Sequence, residues 1–128
     1  MNLNELSYKV ISCALEVHRN LGPGLLETVY ETCFCDEMSR SGLMVSKQVH
    51  CPIIYKGSNL EKSFFIDVLV ENALIVELKS VETILPVHEY QLLTYLKLSG
   101  KKLGLLINFN VPILKEGIRR KINGNIEN

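Results

Sequence analysis

Phe64-Phe65-Ile66-Asp67-Val68-Leu69-Val70-Glu71-Asn72-Ala73-Leu74-Ile75-Val76-Glu77-Leu78-Lys79 is the stretch that decides the fold. Two runs of aliphatic and β-branched residues flank a short polar break at Glu71 and Asn72, which predicts paired strands over residues 62–70 and 73–81. Neither run has a polar side, so both strands are expected inside a sheet that helices cover above and below. Asp67, Glu77 and Lys79 are the exceptions, because an unpaired ion in such surroundings is strongly unfavourable. Glu77 and Lys79 are two apart and share a face. A three-residue turn, Glu71 to Ala73, places Val70 opposite Leu74 and Asp67 opposite Glu77, bringing all three charges together; a two-residue turn separates them.

Converging charges of this kind have two readings. As structure, they are a buried ion pair with a spare acid whose pKa must rise. As function, the carboxylates hold a hard divalent cation such as Mg2+ through oxygen, with the lysine beside the bound water.

Upstream, Leu6, Val10, Cys13, Ala14, Val17 and Leu21 recur at helical spacing and predict an amphipathic helix over about 5–20. Gly22-Pro23-Gly24 breaks it. A second helix is expected over about 25–41, with Gly42 at its C-terminal cap. Residues 44–55 read as a strand in which Pro52 marks an edge position or a bulge, followed by a turn at 56–59. Downstream, Pro86 opens a helix that ends at Gly100, and Leu103 to Phe109 reads as a buried strand. Residues 111–128 read as a loop with a short basic segment and a frayed end. The whole is an α/β pattern, a mixed central β-sheet flanked by helices.

The chain has 128 residues, 47% hydrophobic and 22% charged, which suits one packed domain over 1–128 and excludes disordered and collagen-like classes. No apolar run approaches the roughly 20 residues that span a bilayer, and Met1 to Val10 lacks a signal-peptide pattern. Formal charge is zero but uneven. Residues 1–85 hold 7 Lys/Arg against 11 Asp/Glu, and residues 86–128 hold 7 against 3. Lys97, Lys101, Lys102, Lys115, Arg119, Arg120 and Lys121 form either a nucleic-acid footprint or a solvated surface. Cys13, Cys33, Cys35 and Cys51 lack zinc spacing, and reduced thiols in a cytoplasmic protein fit best.

Gly24-Leu25-Leu26-Glu27-Thr28-Val29-Tyr30 is a GxxExxY string. Together with Phe65 to Glu71, Ile75 to Lys79 and Gly104 to Phe109, it closely resembles the GxxExxY protein family, assigned to the PD-(D/E)XK nuclease-like superfamily. The resemblance runs from about His18 to Ile122. It implies a restriction-endonuclease-like core and Mg2+-dependent (or Mn2+-dependent) phosphodiester cleavage in active members. By that pattern Asp67 is the first acid, Glu77 the second and Lys79 the lysine of the ExK triplet, and the Leu78 carbonyl completes the metal shell. Glu27 occupies the position of the helical acid that approaches the metal in related nucleases. Gln91 and Tyr95 match a QxxxY pattern that often lines the site, with His88 on the same helix face. Ile66 stands where the superfamily name has proline.

Each position also has a plain structural role. Glu27 suits the first turn of a helix, where a carboxylate favours the dipole. Tyr30 reads as core packing with a hydrogen-bonded hydroxyl, and alternatively as a substrate contact alongside Tyr95, His88, Arg119 and Arg120. The leading expectation is a Mg2+-dependent nuclease acting on DNA or RNA, in which Asp67, Glu77, Lys79, Glu27 and Gln91 are the catalytic set. The alternatives are an inactive nucleic-acid- or protein-binding module on the same fold, and a structural domain with an ion-pair network. Work as a homodimer or with a partner is expected on the ground that so small a domain offers little surface for gripping a duplex.

Overall fold

The computed structural model describes residues 1–126. Its elements run α1 (Leu3–Leu21), α2 (Glu27–Arg40), β1 (Val45–Tyr55), β2 (Ser58–Val70), β3 (Leu74–Lys79), α3 (Pro86–Ser99), β4 (Leu103–Asn108), a 3-10 turn (Leu114–Gly117) and β5 (Ile118–Ile122). The strands form one mixed sheet in the order β1-β2-β3-β4-β5, parallel only between β3 and β4. Among the described residues no helix is long and apolar enough to cross a membrane.

The two faces of the sheet are covered as the continuous apolar strands require. On one face α1 and α2 bury Val10, Ala14, Val17, Phe34 and Met38 against Val68, Val70, Leu74, Val76, Leu103, Leu105 and Ile107. On the other, α3 presses Leu92 and Leu96 onto Ile66, Leu69, Ile75 and Leu106. Gly104 lets α3 come close: a Cβ there would lie 2.7 Å from the Leu92 Cδ1. Pro52 has both features expected of it, since β1 is an edge strand and its register with β2 shifts between Pro52 and Ile54.

The C-terminal segment corrects the sequence reading. Residues 114–122 are a 3-10 turn and a strand, β5, which pairs antiparallel with β4 from Ile118↔Ile107 to Ile122↔Leu103. Ile118-Arg119-Arg120-Lys121-Ile122 lacks apolar alternation because it is an edge strand whose charged side chains stay near solvent. The frayed end expected at Glu127 and Asn128 lies outside the described residues.

The hairpin between β2 and β3 sets the register of the charged residues. Glu71 and Asn72 take left-handed φ values of 54° and 52°, and Ala73 N–H closes on the Val70 carbonyl at 3.0 Å. Leu74 then stands opposite Val70, Ile75 opposite Leu69 and Val76 opposite Val68, as the three-residue turn requires. There the regular pairing stops. On the β1 side it passes from Lys47↔Val68 to Val49↔Ile66 without pairing Gln48 to Asp67, and Gln48 has φ of 50°. Val68 and Val70 pack on the α1/α2 side, whereas Ile66 packs under α3. Strict alternation would put all three on one side, so β2 turns over at Asp67.

Candidate active site

Where β2 and β3 part, side chains take over from the ladder. Asp67 N–H donates to Glu77 Oε1 at 3.3 Å, and Leu78 N–H donates to Asp67 Oδ2 at 3.1 Å. Two backbone donors that a regular sheet would pair with carbonyls are thus satisfied by two carboxylates, which draws both acids to the gap. An extended residue presents its N–H and C=O toward the same neighbour, so the Leu78 carbonyl also faces the β2 side, beyond the last ladder pair.

Glu77 is 4% exposed. Its burial first, then the nearby Asp67 charge, pushes its carboxyl up to about 9, with Lys79 offsetting only part of the rise. A side-chain hydrogen bond between the two carboxyl groups contributes to the shift. The pair therefore holds a proton at neutral pH. Lys79 is half-buried and within electrostatic reach of Glu77 and Glu27. Among the described residues the ion pairs are Arg19–Glu16, Arg40–Asp36 and Lys121–Glu89, and none includes Lys79.

Glu27 is the first residue of α2. Burial raises its carboxyl pKa, the Asp67 carboxylate raises it further, and Lys79 opposes the rise. It thus faces the same charges as Glu77. Asp67 and Glu77 meet while Glu27 stands off: among the described residues no group of three or more His, Cys, Asp or Glu gathers closely enough to hold a metal ion.

A profile of the PD-(D/E)XK nuclease superfamily matches residues 4–121, which is nearly the whole chain. The chain belongs to the PD-(D/E)XK nuclease superfamily. The five-stranded mixed sheet with its three helices agrees with the core of that superfamily, and the GxxExxY string is compatible with it. No curated protein and no solved structure matches the chain.

On α3 the other residues singled out from this superfamily's pattern divide. Tyr95 stacks on Phe64 with ring centroids 4.1 Å apart and planes at 9°. Its hydroxyl pKa is raised by burial and by the charges of Glu77 and Asp67, and lowered by a hydrogen bond with Gln91. Gln91 and Tyr95 therefore stand beside the acids as a linked pair. His88 is engaged in capping: its Nδ1 accepts the Leu85 N–H at 3.0 Å.

Tyr30 is fully buried, and its hydroxyl donates to the Gly22 carbonyl at 2.6 Å and accepts from Leu25 N–H at 3.1 Å. Its hydroxyl is thus committed to main chain, which corrects its reading as a substrate contact. Arg119 and Arg120 do not form one binding surface either. They are adjacent in β5 and so point to opposite faces. Arg120 bonds Asn4 on α1, while Arg119 donates to the carbonyls of Glu116 and Ile118. Other basic residues are engaged as well, Lys121 by Glu89 at 2.7 Å and Lys101 Nζ by the Asn72 carbonyl at 2.8 Å.

Asn108 is a site residue that sequence reasoning missed. It is 1% exposed and pairs with Lys79 across the parallel strands. Its Oδ1 accepts from Val81 N–H at 3.0 Å and its Nδ2 donates to the Val81 carbonyl at 2.9 Å, clamping the chain as it leaves Lys79. The available signal was a polar amide ending an otherwise apolar strand.

Proposed function

We propose that this domain is a metal-dependent nuclease that hydrolyses phosphodiester bonds of DNA or RNA. The observation that carries the reading is the gap between β2 and β3, where the Asp67 and Glu77 carboxylates replace the ladder beside Lys79, which forms no ion pair among the described residues. A buried carboxylate in contact with a half-buried one needs either a proton or a cation between them.

The donors fit Mg2+ or Mn2+. Asp67, Glu77 and the Leu78 carbonyl are hard oxygen donors, and Mg2+ is commonly held by one or two carboxylates with water and substrate phosphate filling the rest. Glu27, standing off from the pair, would act on a bound water. Such a cation supplies Lewis-acid polarisation of the phosphate oxygen and lowers the pKa of water. Lys79 contributes an ammonium that orients the attacking water or stabilises charge growing on the phosphorane, where a preorganised cation costs no reorganisation. Gln91 and Tyr95 line the approach, with Gln91 orienting Lys79 or a substrate oxygen. Asn108 holds the segment after Lys79 so that the ammonium keeps its place.

The test is cleavage of single-stranded, duplex and branched DNA and RNA with Mg2+ or Mn2+. Wild type should cut at least one of these, and Lys79→Ala should cut it at least ~10²-fold more slowly, the effect of losing one electrostatic catalytic group, while still binding metal. A wild-type protein that cuts nothing but binds nucleic acid would favour a binding module instead. A Lys79→Ala variant as active as wild type would remove the lysine from the mechanism.

A further inference from the structure

Resting on the metal-dependent reading above, we infer that Tyr30 and Ser80 are positioning residues that set Glu27 against the Asp67–Glu77–Lys79 gap, through a closed circuit of contacts joining the start of α2 to the end of β3. The circuit can be followed atom by atom. From Lys79, the carbonyl accepts Phe109 N–H at 3.0 Å. The Phe109 ring stacks on Tyr30 with centroids 4.6 Å apart and planes at 9°. The Tyr30 hydroxyl spans the loop before α2, donating to the Gly22 carbonyl and accepting from Leu25 N–H. The Leu25 carbonyl in turn accepts the Ser80 hydroxyl at 2.5 Å, and Ser80 is the residue after Lys79.

This arrangement does work that nothing local does. Leu26, the N-cap of α2, gives no side-chain cap, so the helix start that carries Glu27 has no anchor of its own. Gly24 sits in the loop at φ of 98°, and open space surrounds the position of its missing Cβ, so it supplies a left-handed turn and no packing. The rigid neighbours are the buried Tyr30 ring and the end of β3, and both reach the loop through a single hydroxyl. The GxxExxY spacing acquires a physical reason: the Gly turns the chain, the Glu opens α2 within electrostatic reach of Asp67 and Lys79, and the Tyr, three residues further along the same helix, reaches back to hold the turn.

The test compares Tyr30→Phe, Ser80→Ala and Glu27→Gln with wild type, reading Mn2+ affinity by electron paramagnetic resonance of the free ion and thermal unfolding without metal. Tyr30→Phe keeps the stacked ring and removes only the hydroxyl. Each of the three should weaken Mn2+ binding about three- to ten-fold, Ser80→Thr should restore the affinity lost in Ser80→Ala, and Tyr30→Phe should add nothing in a Glu27→Gln background. That absence of additivity separates positioning from general destabilisation, which would lower the melting temperature equally in both backgrounds. Wild-type affinity in Tyr30→Phe and Ser80→Ala, with Glu27→Gln weakened, overturns the circuit and leaves the metal reading intact. An unweakened Glu27→Gln overturns the circuit as well. A wild-type protein that binds no Mn2+ overturns both.

Discussion

The two faces of this sheet are built for different ends. Among the described residues the α1/α2 side buries twenty core residues in one cluster and the α3 side seven, so the first carries most of the apolar stabilisation. β3 shows the division within six residues. Leu74, Val76 and Leu78 point into the thick core, while Ile75 is the only apolar member of the opposite row, which continues as Glu77 and Lys79. A strand anchored so firmly on one face can bear, on the other, a buried acid that destabilises the metal-free fold.

The largest effect should come from breaking the thick side. Phe109→Ala removes the ring that stacks on Tyr30 and meets Phe34 edge-on, and should cost about 3–5 kcal/mol in urea unfolding. A loss below about 1 kcal/mol would mean that the two cores contribute alike.

Glu77→Gln probes the thin side and should act in the opposite direction. The folded carboxyl pKa is raised, so between pH 4.5 and about 9 the unfolded chain gives up its proton while the native state keeps it. Metal-free stability of wild type should therefore fall as pH rises through that window, by at most about 1.4 kcal/mol per pH unit. The glutamine variant, which mimics the protonated acid, should lose that slope and be the more stable protein at pH 8. It should also lose the stabilisation that the proposed metal site predicts for wild type in Mg2+, about 2.7 kcal/mol at a hundred-fold excess over Kd. Thermal unfolding across pH, with and without Mg2+, reads both effects.

Gly104→Ala sharpens the comparison by asking how tightly the thin layer is closed. The added methyl would meet three side-chain atoms of Leu92 between 2.7 and 3.3 Å, and should cost about 1–3 kcal/mol in chemical unfolding. A neutral result would show that α3 can shift freely.

The smallest effect belongs to Lys121→Met. The Lys121–Glu89 pair joins β5 to α3 at 2.7 Å but remains partly solvated, so its removal should cost no more than about 1 kcal/mol, and less at high salt. A larger loss would make this ion pair a principal tie of the α3 layer.

Much of the site was legible in one dimension. Period-two alternation put Glu77 and Lys79 on one face, and the polar break between the strands carried the three-residue turn that sets Val70 opposite Leu74 and leads Asp67 toward Glu77. These are local properties: they depend on residues within about twelve positions of each other and on the geometry of one turn. The helices were equally readable, because each has an apolar stripe and a glycine or proline at its ends.

What the sequence did not reveal depends on partners distant in the chain. β5 reads as a polar loop until β4 supplies the ladder, because an edge strand needs no apolar row. Tyr30 carries the same hydroxyl whether it contacts substrate or main chain, and only the folded loop shows Gly22 and Leu25 waiting for it. Arg119 and Arg120 look like one basic patch until strand geometry sends them to opposite faces. The turnover of β2 at Asp67, across from Gln48, likewise belongs to the three-strand arrangement and to no single strand. The sequence by itself determined which residues are charged within apolar strands and which of them share a face, since chain geometry alone enforces that. Only tertiary structure decided which polar groups are already engaged, because a hydrogen bond between residues fifty-five positions apart, such as Ser80 to Leu25, exists only after the chain has closed the distance.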